Sequence, residues 1–190
     1  NILMHPENGV IKNASEITAI GHRVVHGGDK FSETIIIDDK VKAAIKDLFS
    51  LAPLHNPPNL TGIEVAETIF PEAKQVGIFD TACHRSIPPR ANRYAIPNSF
   101  FDDQKIQVYG FHGTSHKYVS EKAIEYLKKD NSKLISVHLG NGCSITAVQD
   151  GKSIDHSLGF GPVNGLIMGT RSGDIDQSVI FYLINQMGYT

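Results

Sequence analysis

The sequence feature that most constrains the fold is a strand–turn–strand pattern in the second half of the chain. An apolar segment, 136–139, leads into Gly-Asn-Gly at 140–142, and an alternating segment, 144–148, leads out. Asn-Gly between such segments predicts a β-hairpin with a type I′ turn, which needs positive φ at both central residues. An Asp-Gly pair at 150–151 predicts a second turn, so we expect a β-meander that starts near Lys133. Glycines at a strand end also let backbone N–H groups approach a phosphate, so a plain hairpin and a phosphate-binding loop both remain open.

Length, charge and cysteine usage narrow the class of protein. With 190 residues the chain has room for one or two domains, and its formal net charge of −2 gives no basic field that would attract nucleic acid. No apolar run approaches the roughly 20 residues of a membrane helix, and no signal-peptide pattern is visible. Cys83 and Cys143 predict free thiols and hence a cytoplasmic protein. His22 and His26 lie about 13 Å apart on a strand, so we predict no metal site in this chain.

Alternating strand and helix patterns in the first half predict an α/β fold. We expect strands at 16–26, 34–37 and 74–79, the first of them ended by a double glycine. Either Asp38 or Asp39 can cap a helix whose apolar residues share one face: Val41, Ala44, Ile45, Leu48 and Phe49. Three prolines at 53–58 restrict φ, so we expect a stiff loop there and no helix before Asn59.

Three polar residues of the first half lie where a strand or helix ends. Arg23 stands near the end of an apolar strand, so its guanidinium either faces a cleft, an anion or a carboxylate, or reaches solvent from an edge strand. His55 precedes a helix N-terminus, a favourable place for an anion, or it bonds to backbone. Asp80 follows a buried strand at its carboxyl end, where ligands of open α/β sheets gather, or it caps the next turn.

The second half carries two further candidates, each ahead of a predicted helix. His112 lies before a helix that we expect Ser115 to cap, and it suits a donor to a phosphoryl oxygen or a bond to a carbonyl. Arg171 lies in a glycine-rich loop ahead of a last helix capped by Asp174 or Asp176, and its forked cation suits phosphate. The sequence has no Walker A, no GxGxxG after a strand and no kinase His-Arg-Asp pattern.

Six sequence blocks, taken in order, resemble the acetate kinase family. They are Gly-His-Arg-Val-Val-His-Gly-Gly at 21–28, Leu-Ala-Pro-Leu-His-Asn-Pro at 51–57, Phe-Asp-Thr-Ala at 79–82, Phe-His-Gly-Thr-Ser-His at 111–116, His-Leu-Gly-Asn-Gly at 138–142 and Met-Gly-Thr-Arg-Ser-Gly-Asp at 168–174. The resemblance implies the superfamily of acetate and sugar kinases, heat-shock chaperones and actin, with two ribonuclease-H-like α/β domains, here both incomplete. Residues 1–82 then form the later part of the first domain, on the acyl-substrate side. Residues 83–190 form an irregular insert, up to 107, and the opening part of the second, nucleotide-side domain.

The same resemblance implies a reaction, the reversible transfer of the γ-phosphoryl group of ATP to acetate, which gives acetyl phosphate and ADP with Mg²⁺. The alternatives are propionate or butyrate kinase, or a non-catalytic nucleotide-binding scaffold of the superfamily. The implied partners are these small molecules and a second copy of the full-length chain in a homodimer, with no nucleic acid and no membrane. Family members run to about twice this length. We therefore expect the metal ligands outside this chain and no turnover by these 190 residues alone.

Site residues follow from the resemblance block by block. The implied catalytic residues are Asp80, His112 and Arg171. The implied substrate-binding residues are Arg23 and His55 for the acetyl group and, as an apolar pocket for its methyl, Val25, Leu54, Phe111 and Pro162. The implied ATP phosphate loop is His138, Leu139, Gly140, Asn141 and Gly142. Because acetate is already an anion near neutral pH, we interpret Asp80 as orienting Arg23 or hydrated Mg²⁺ rather than as a general base.

Overall fold

The computed structural model describes residues 2–190 and is an α/β structure, as the sequence predicts. It divides into two compact units, Asn1–Ala82 and Cys83–Thr190. Each unit contains one three-stranded sheet with helices. None of the helices within residues 2–190 is long and apolar enough to cross a membrane.

The first unit is a mixed sheet with two helices. After a short 3-10 helix at Ala14–Glu16, its elements are β1 (Ala19–Val24), β2 (Ile35–Ile36), α1 (Asp39–Asp47), α2 (Asn56–Ile69) and β3 (Lys74–Phe79). The strand order is β1-β3-β2, with β1 parallel and β2 antiparallel to β3. In the register of the parallel pair Arg23 lies opposite Ile78 and Val24 opposite Phe79, so both strands end at the same edge. That edge is where ligands of α/β sheets are usually bound.

The core of the first unit lies between this sheet and its helices. Asp38 caps α1 by accepting the amide of Val41, which confirms one of the two predicted caps. The apolar face predicted for this helix contributes to the core through side chains that are nearly inaccessible to solvent. The cluster consists of Val24, Phe31, Ile37, Val41, Ile45, Leu48, Leu60, Ile63 and Phe79. Burying each such side chain contributes about 1.5–3 kcal/mol, so this cluster fixes the position of the strand ends above it.

The start of α2 corrects a sequence expectation. The helix begins at Asn56, with His55 as its N-cap, and Pro57 and Pro58 lie inside its first turn. The expectation of a loop up to Asn59 is therefore wrong. Proline has no N–H and a fixed φ near −65°, but the first turn of a helix neither uses those N–H groups nor needs another φ. The prolines start this helix instead of delaying it.

The second unit is an antiparallel meander with flanking helices. Its elements are a 3-10 helix at Ala82–Ser86, α3 (Pro89–Asn92), α4 (Asn98–Gln104), α5 (Gly113–Leu127), β4 (Lys133–Leu139), β5 (Cys143–Gln149), β6 (Lys152–His156) and α6 (Gln177–Met187). The meander is confirmed, since β4 pairs with β5 and β5 with β6, both antiparallel. The segment 83–107 is less irregular than expected, because two short helices occupy part of it.

The two turns of the meander differ from each other. Leu139 pairs with Cys143, so the β4–β5 hairpin closes through the three residues 140–142. None of these three has positive φ, and the type I′ turn expected here is wrong. Asp150 and Gly151 do have positive φ, 51° and 76°, the signature of a type I′ turn. Positive φ therefore does not explain the glycines at 140–142. The side chains that lie beside Gly142 do, as described for the candidate site.

The N-caps of two helices in the second unit can be compared with the residues that the sequence predicted. The first residue of α5 is Gly113, and its N-cap is His112, which adopts a left-handed conformation with φ 58° and ψ 22°. Ser115 does not cap this helix, contrary to the expectation. Asp176 caps α6 by accepting the amide of Ser178, so of the two predicted candidates it is the cap.

Candidate active site

At the carboxyl edge of the first sheet, the exposed side chain of Arg23 forms an ion pair with the buried carboxylate of Asp80. Arg23 Nε and Nη2 donate to the two carboxylate oxygens of Asp80, at 2.9 Å and 2.6 Å. The hydrogen bonds to Asp80 raise the pKa of Arg23 above its usual value. Asp80 is 1% exposed, whereas the Arg23 side chain is 63% exposed. Within residues 2–190 Nη1 has no hydrogen-bond partner, so Asp80 holds one edge of the guanidinium while the other faces solvent.

The backbone that follows β1 is held by side chains. The amides of residues 25–28, one after another, donate to Asn59 Oδ1, Asn56 Oδ1, Thr81 Oγ1 and His26 Nδ1, at 3.0–3.1 Å. Asn56 also donates to the carbonyl of His26, so its amide group pairs with that residue as a neighbouring strand would. These groups fix residues 25–28, directly after β1, without regular secondary structure.

The other candidate residues of the first unit are His55, Leu54 and Val25, and His55 and Leu54 make no polar contact with this ion pair among the described residues. His55 is exposed at the start of α2, and Leu54 is 82% exposed, whereas Val25 is half-buried. Among the described residues neither His55 nor Leu54 makes a side-chain hydrogen bond or ion pair with Arg23 or Asp80. In the described part of the first unit, the guanidinium of Arg23 is therefore positioned by a carboxylate, whereas the side chain of Leu54 lies open to solvent.

Gly142 in the second unit lies between two hydrogen-bond donors. A β-carbon placed on Gly142 would lie 2.7 Å from Arg171 Nη2 and 3.2 Å from both Cε1 and Nε2 of His112. This close approach explains why glycine is needed here although its φ is not positive. A guanidinium can only donate, so two side chains that converge on the same backbone position favour an anion beside it.

The loop that carries Arg171 is fastened to the hairpin. Arg171 Nη1 donates to the carbonyl of Pro162 at 2.5 Å, and its own carbonyl accepts the amide of Met168 at 2.9 Å. The amide of Gly169 donates to the carbonyl of Asn141 at 3.2 Å, which ties the loop to residues 140–142. Of the predicted ATP loop, Leu139, Gly140 and Asn141 are exposed, while His138 and Gly142 are half-buried.

His112 is oriented by contacts on both sides of its ring. Its Nδ1 lies 2.9 Å from Ser144 Oγ, and its ring stacks on His138 with 4.2 Å between centroids. The Nδ1 of His138 in turn lies 3.0 Å from Ser115 Oγ. Ser115 thus binds a histidine instead of capping α5. A left-handed backbone at a non-glycine residue costs free energy and persists where the surrounding structure holds it, as the contacts of His112 with Ser144 and His138 do here.

Three more histidines lie behind His112 and were not among the predicted site residues. His84, His116 and His156 are at most 8% exposed, and each bonds to a hydroxyl group of the meander. Burial, followed by the neighbouring histidines, lowers the pKa of His116 to about 3 and that of His156 to about 2. The four-residue spacing of His112 and His116 on one helix face was visible in the sequence, but their serine partners on other elements were not.

Phe111 and Pro162, assigned to the methyl pocket by resemblance, have mainly backbone roles in the described contacts. Phe111 donates its amide to His156 Nε2 at 3.0 Å, and its carbonyl lies 2.9 Å from His84 Nε2. Its side chain is 2% exposed and so offers almost no surface in the second unit. Pro162 contributes the carbonyl that binds Arg171. The apolar pocket therefore stays a prediction.

Acidic and metal-ligating side chains are not grouped as a cation site in the described part of the chain. Among residues 2–190 no three His, Cys, Asp or Glu side chains come together in a way that could hold a metal ion. Asp174, the acidic residue nearest to Arg171 in the loop, accepts the amide of Gly165 at 2.7 Å. The expectation that the Mg²⁺ ligands lie outside this chain stays a prediction.

Known proteins resemble this chain in sequence and structure over nearly its whole length. A model of the acetokinase family matches residues 2–190. An acetate kinase of Flavobacterium johnsoniae is 65% identical over 190 residues, which is 100% of this chain and 48% of that protein. The crystal structure of Porphyromonas gingivalis acetate kinase superposes with a TM-score of 0.93 at 46% identity and covers 100% of this chain and 48% of its own. That of a propionate kinase from Francisella tularensis gives 0.89 at 52% identity and covers 92% and 45%. The chain thus spans about half the length of these relatives.

Proposed function

This chain belongs to the acetokinase family, and we propose that the protein transfers the γ-phosphoryl group of ATP reversibly to acetate, giving acetyl phosphate and ADP. The proposal rests on one observation above all. Asp80 is buried and binds one edge of Arg23, which leaves the other edge of an exposed guanidinium for a carboxylate. A scaffold that only binds nucleotide has no need of such a group.

Asp80 acts in this proposal as a positioning residue rather than as a base. Acetate has a pKa well below 7, so its oxygen attacks phosphorus without first losing a proton. Two charge-assisted bonds from Asp80 fix the plane of the guanidinium, and Nη1 can then bind the acetate carboxylate in a defined orientation. Orientation of this kind is a major source of rate enhancement when two substrates must meet in line.

His112 and Arg171 stabilise the transferred phosphoryl group in the same proposal. The transition state of phosphoryl transfer is loose and spreads negative charge over three oxygens, so it requires positioned donors and cations more than covalent chemistry. Both side chains converge on Gly142, where the backbone of the proposed ATP loop can receive phosphate oxygens. The loop residues are His138, Leu139, Gly140, Asn141 and Gly142.

Mg²⁺ would supply positive charge to the polyphosphate, and we propose that its ligands come from segments outside residues 1–190. We further propose that the two units correspond to the later part of one ribonuclease-H-like domain and to an insert with the opening part of the next. The full-length protein is proposed to be a cytoplasmic homodimer that binds neither nucleic acid nor membranes. His55, Val25, Leu54, Phe111 and Pro162 are proposed to complete the acyl site.

Propionate is the second candidate substrate, because a propionate kinase structure is 52% identical to this chain. One methylene in an apolar pocket changes specificity by only about 1–3 kcal/mol, so both acids are expected to react and acetate to react better. A higher kcat/KM for propionate would make the protein a propionate kinase. The same comparison with butyrate separates the third member of the series.

The proposed function is tested on the full-length protein with Arg23→Ala. We expect the KM for acetate to rise far more than the KM for ATP, because the lost Nη1 contacts only the carboxylate in this proposal. Lys30→Ala is the control, since Lys30 pairs with Asp47 on an exposed surface of the same unit. Equal changes in both KM values would contradict the role of Arg23. Absence of acetyl phosphate from the wild-type protein would contradict the function itself.

A further inference from the structure

The hydroxyl of Ser144 links two histidines of the second unit. Ser144 is fully buried, on β5, and its Oγ lies 2.9 Å from His112 Nδ1 and 2.7 Å from His116 Nε2. On the far side of His116, Nδ1 lies 2.9 Å from Ser136 Oγ on β4. Ser136, His116, Ser144 and His112 thus form one chain of hydrogen bonds, the hydroxyl–imidazole chain. Its last member is His112, whose Nε2 lies beside Gly142 and Arg171.

The protons in this chain can be arranged in few ways. A hydroxyl has one proton and two acceptor lone pairs, and a neutral imidazole has one N–H and one acceptor nitrogen. His116 is neutral, because burial lowers its pKa to about 3. Three arrangements satisfy these three bonds with neutral rings. In one of them Ser144 accepts from both histidines, and its own proton then has no acceptor among the described residues although Ser144 is fully buried, which is unfavourable. Two directions remain: either every proton points toward His112, or every proton points toward Ser136.

The buried end of the chain decides between the two directions. Within the described residues Ser136 Oγ bonds only to His116, and Ser136 is 5% exposed. If the protons point toward Ser136, its own hydroxyl proton has no acceptor in a place that water barely reaches, which is unfavourable. If they point toward His112, Ser136 donates to His116, His116 donates to Ser144, and Ser144 donates to His112 Nδ1. Every proton is then used.

Two further buried histidines of the second unit, His84 and His156, show that the fold selects tautomers in the same way. The carbonyl of Phe111 can only accept, so His84 carries its proton on Nε2. The amide of Phe111 can only donate, so His156 accepts at Nε2 and carries its proton on Nδ1, directed at Thr146. In these two cases a backbone group chooses the tautomer. For His112 the same choice is made by a serine and a histidine.

We propose that Ser144 and His116 are positioning residues that place the single proton of His112 on Nε2, where it faces the transferred phosphoryl group. The inference rests on the proposed function for the identity of that anion. A neutral imidazole with its proton on Nδ1 would point a lone pair at a phosphoryl oxygen and repel it. With the proton on Nε2, His112 donates a hydrogen bond beside the guanidinium of Arg171.

The direct test is the tautomeric state of His112 in the full-length wild-type protein. Two-bond ¹H–¹⁵N correlation spectra of ¹⁵N-histidine-labelled protein at pH 8 distinguish the two neutral tautomers and the doubly protonated ring. The His112 signals are assigned by their loss in His112→Gln. We expect both His112 and His116 to carry one proton, on Nε2. A proton on Nδ1 of either ring, or a doubly protonated His112, would overturn the proposal without any variant having to fold.

A kinetic test separates positioning from simple loss of stability. Ser144→Ala is expected to lower kcat about 10- to 100-fold, the range for losing an outer hydrogen-bond partner of a functional histidine, with little change in either KM. Ser144→Thr keeps the hydroxyl and is expected to retain most of the activity. Ser153→Ala is the matched control, because Ser153 is equally buried and bonds to His84 at 2.9 Å. If Ser153→Ala lowers kcat as much as Ser144→Ala, the inference is wrong.

The two tests also separate this inference from the proposed function. If His112→Gln retains wild-type kcat, His112 has no role in transfer and the kinetic arm fails together with that part of the function. If His112→Gln has a lowered kcat but the wild-type spectra show the His112 proton on Nδ1, the proposed function is supported and the positioning role of Ser144 and His116 is wrong.

Discussion

Replacing Gly142 by alanine tests whether His112 and Arg171 act at one point in space. The new β-carbon would lie 2.7 Å from Arg171 Nη2, and ordinary contact begins at 3.4 Å, so the guanidinium must retreat by 0.7 Å. His112 Nε2, at 3.2 Å, must retreat by a further 0.2 Å in its own direction. The φ of Gly142 is not positive, so alanine can adopt the same backbone and the perturbation is confined to these two side chains.

The expected effect is on turnover rather than on folding. A shift of about 1 Å in a positioned group can cost about 100-fold in rate, so kcat is expected to fall about 10- to 100-fold. That range corresponds to about 1.4–2.7 kcal/mol in activation free energy. The free energy of unfolding is expected to change by less than about 1 kcal/mol, because the tip of an arginine can move without opening a cavity. The KM for acetate should be nearly unchanged.

The assay measures acetyl phosphate formed by the full-length protein from ATP, acetate and Mg²⁺, with urea unfolding in parallel. Gly161→Ala is the control, because it makes the same chemical change at a position where, apart from the two chain neighbours, no described residue lies within 4 Å of the new β-carbon. Wild-type kcat in Gly142→Ala would refute the convergence of the two donors on this residue. An equally slow Gly161→Ala would show that the segment tolerates no added carbon anywhere.

Two further predictions concern the second unit. His112→Ala and Arg171→Ala are each expected to lower kcat about 100- to 1,000-fold with small changes in KM, the usual loss for one transition-state donor; near wild-type kcat removes that residue from the mechanism. The pKa values of His116 and His156 are lowered to about 3 and about 2, so above pH ~6.5 both are neutral folded or unfolded. Below pH ~6.5 only the unfolded chain binds a proton at each of these histidines. The free energy of unfolding therefore falls, for each histidine, by up to about 1.4 kcal/mol for every pH unit. Equal stability in urea at pH 7 and pH 5 would contradict this.

Periodicity predicted the elements of this chain better than it predicted their ends. The apolar face of α1 and the antiparallel meander both follow from spacing alone, because burial on one face decides them. The start of α2 was placed three residues late, since the rule that proline breaks helices does not hold in the first turn. The start of α5 was placed at Ser115, because a left-handed His112 at the N-cap has no sequence signal.

The candidate site also contains residues that the sequence predicted and residues that it did not. Arg23 and Asp80 could each be identified as strand-end residues from the sequence, whereas the parallel pairing of β1 and β3, which brings them to one edge, is seen only in the structure. Ser144 and Ser136 carried no signal, since their partners lie 28 and 20 residues away in the chain and only the paired strands bring them to α5. The sequence suggested that the glycines at 140–142 serve the backbone of a tight turn. In the structure, glycine is required at 142 because the side chains of Arg171 and His112 lie beside it.

The side chains that bind the amides of residues 25–28 have a consequence for the energetics of substrate capture. Ordering a loop costs about 1–2 kcal/mol of conformational entropy per residue. Here Asn56, Asn59 and Thr81 bind three of the four amides in the folded chain, so that entropy is lost once, at folding, and not at each encounter with substrate. Residues 25–28 are therefore expected to exchange their amide hydrogens as slowly as a strand does, although they belong to none.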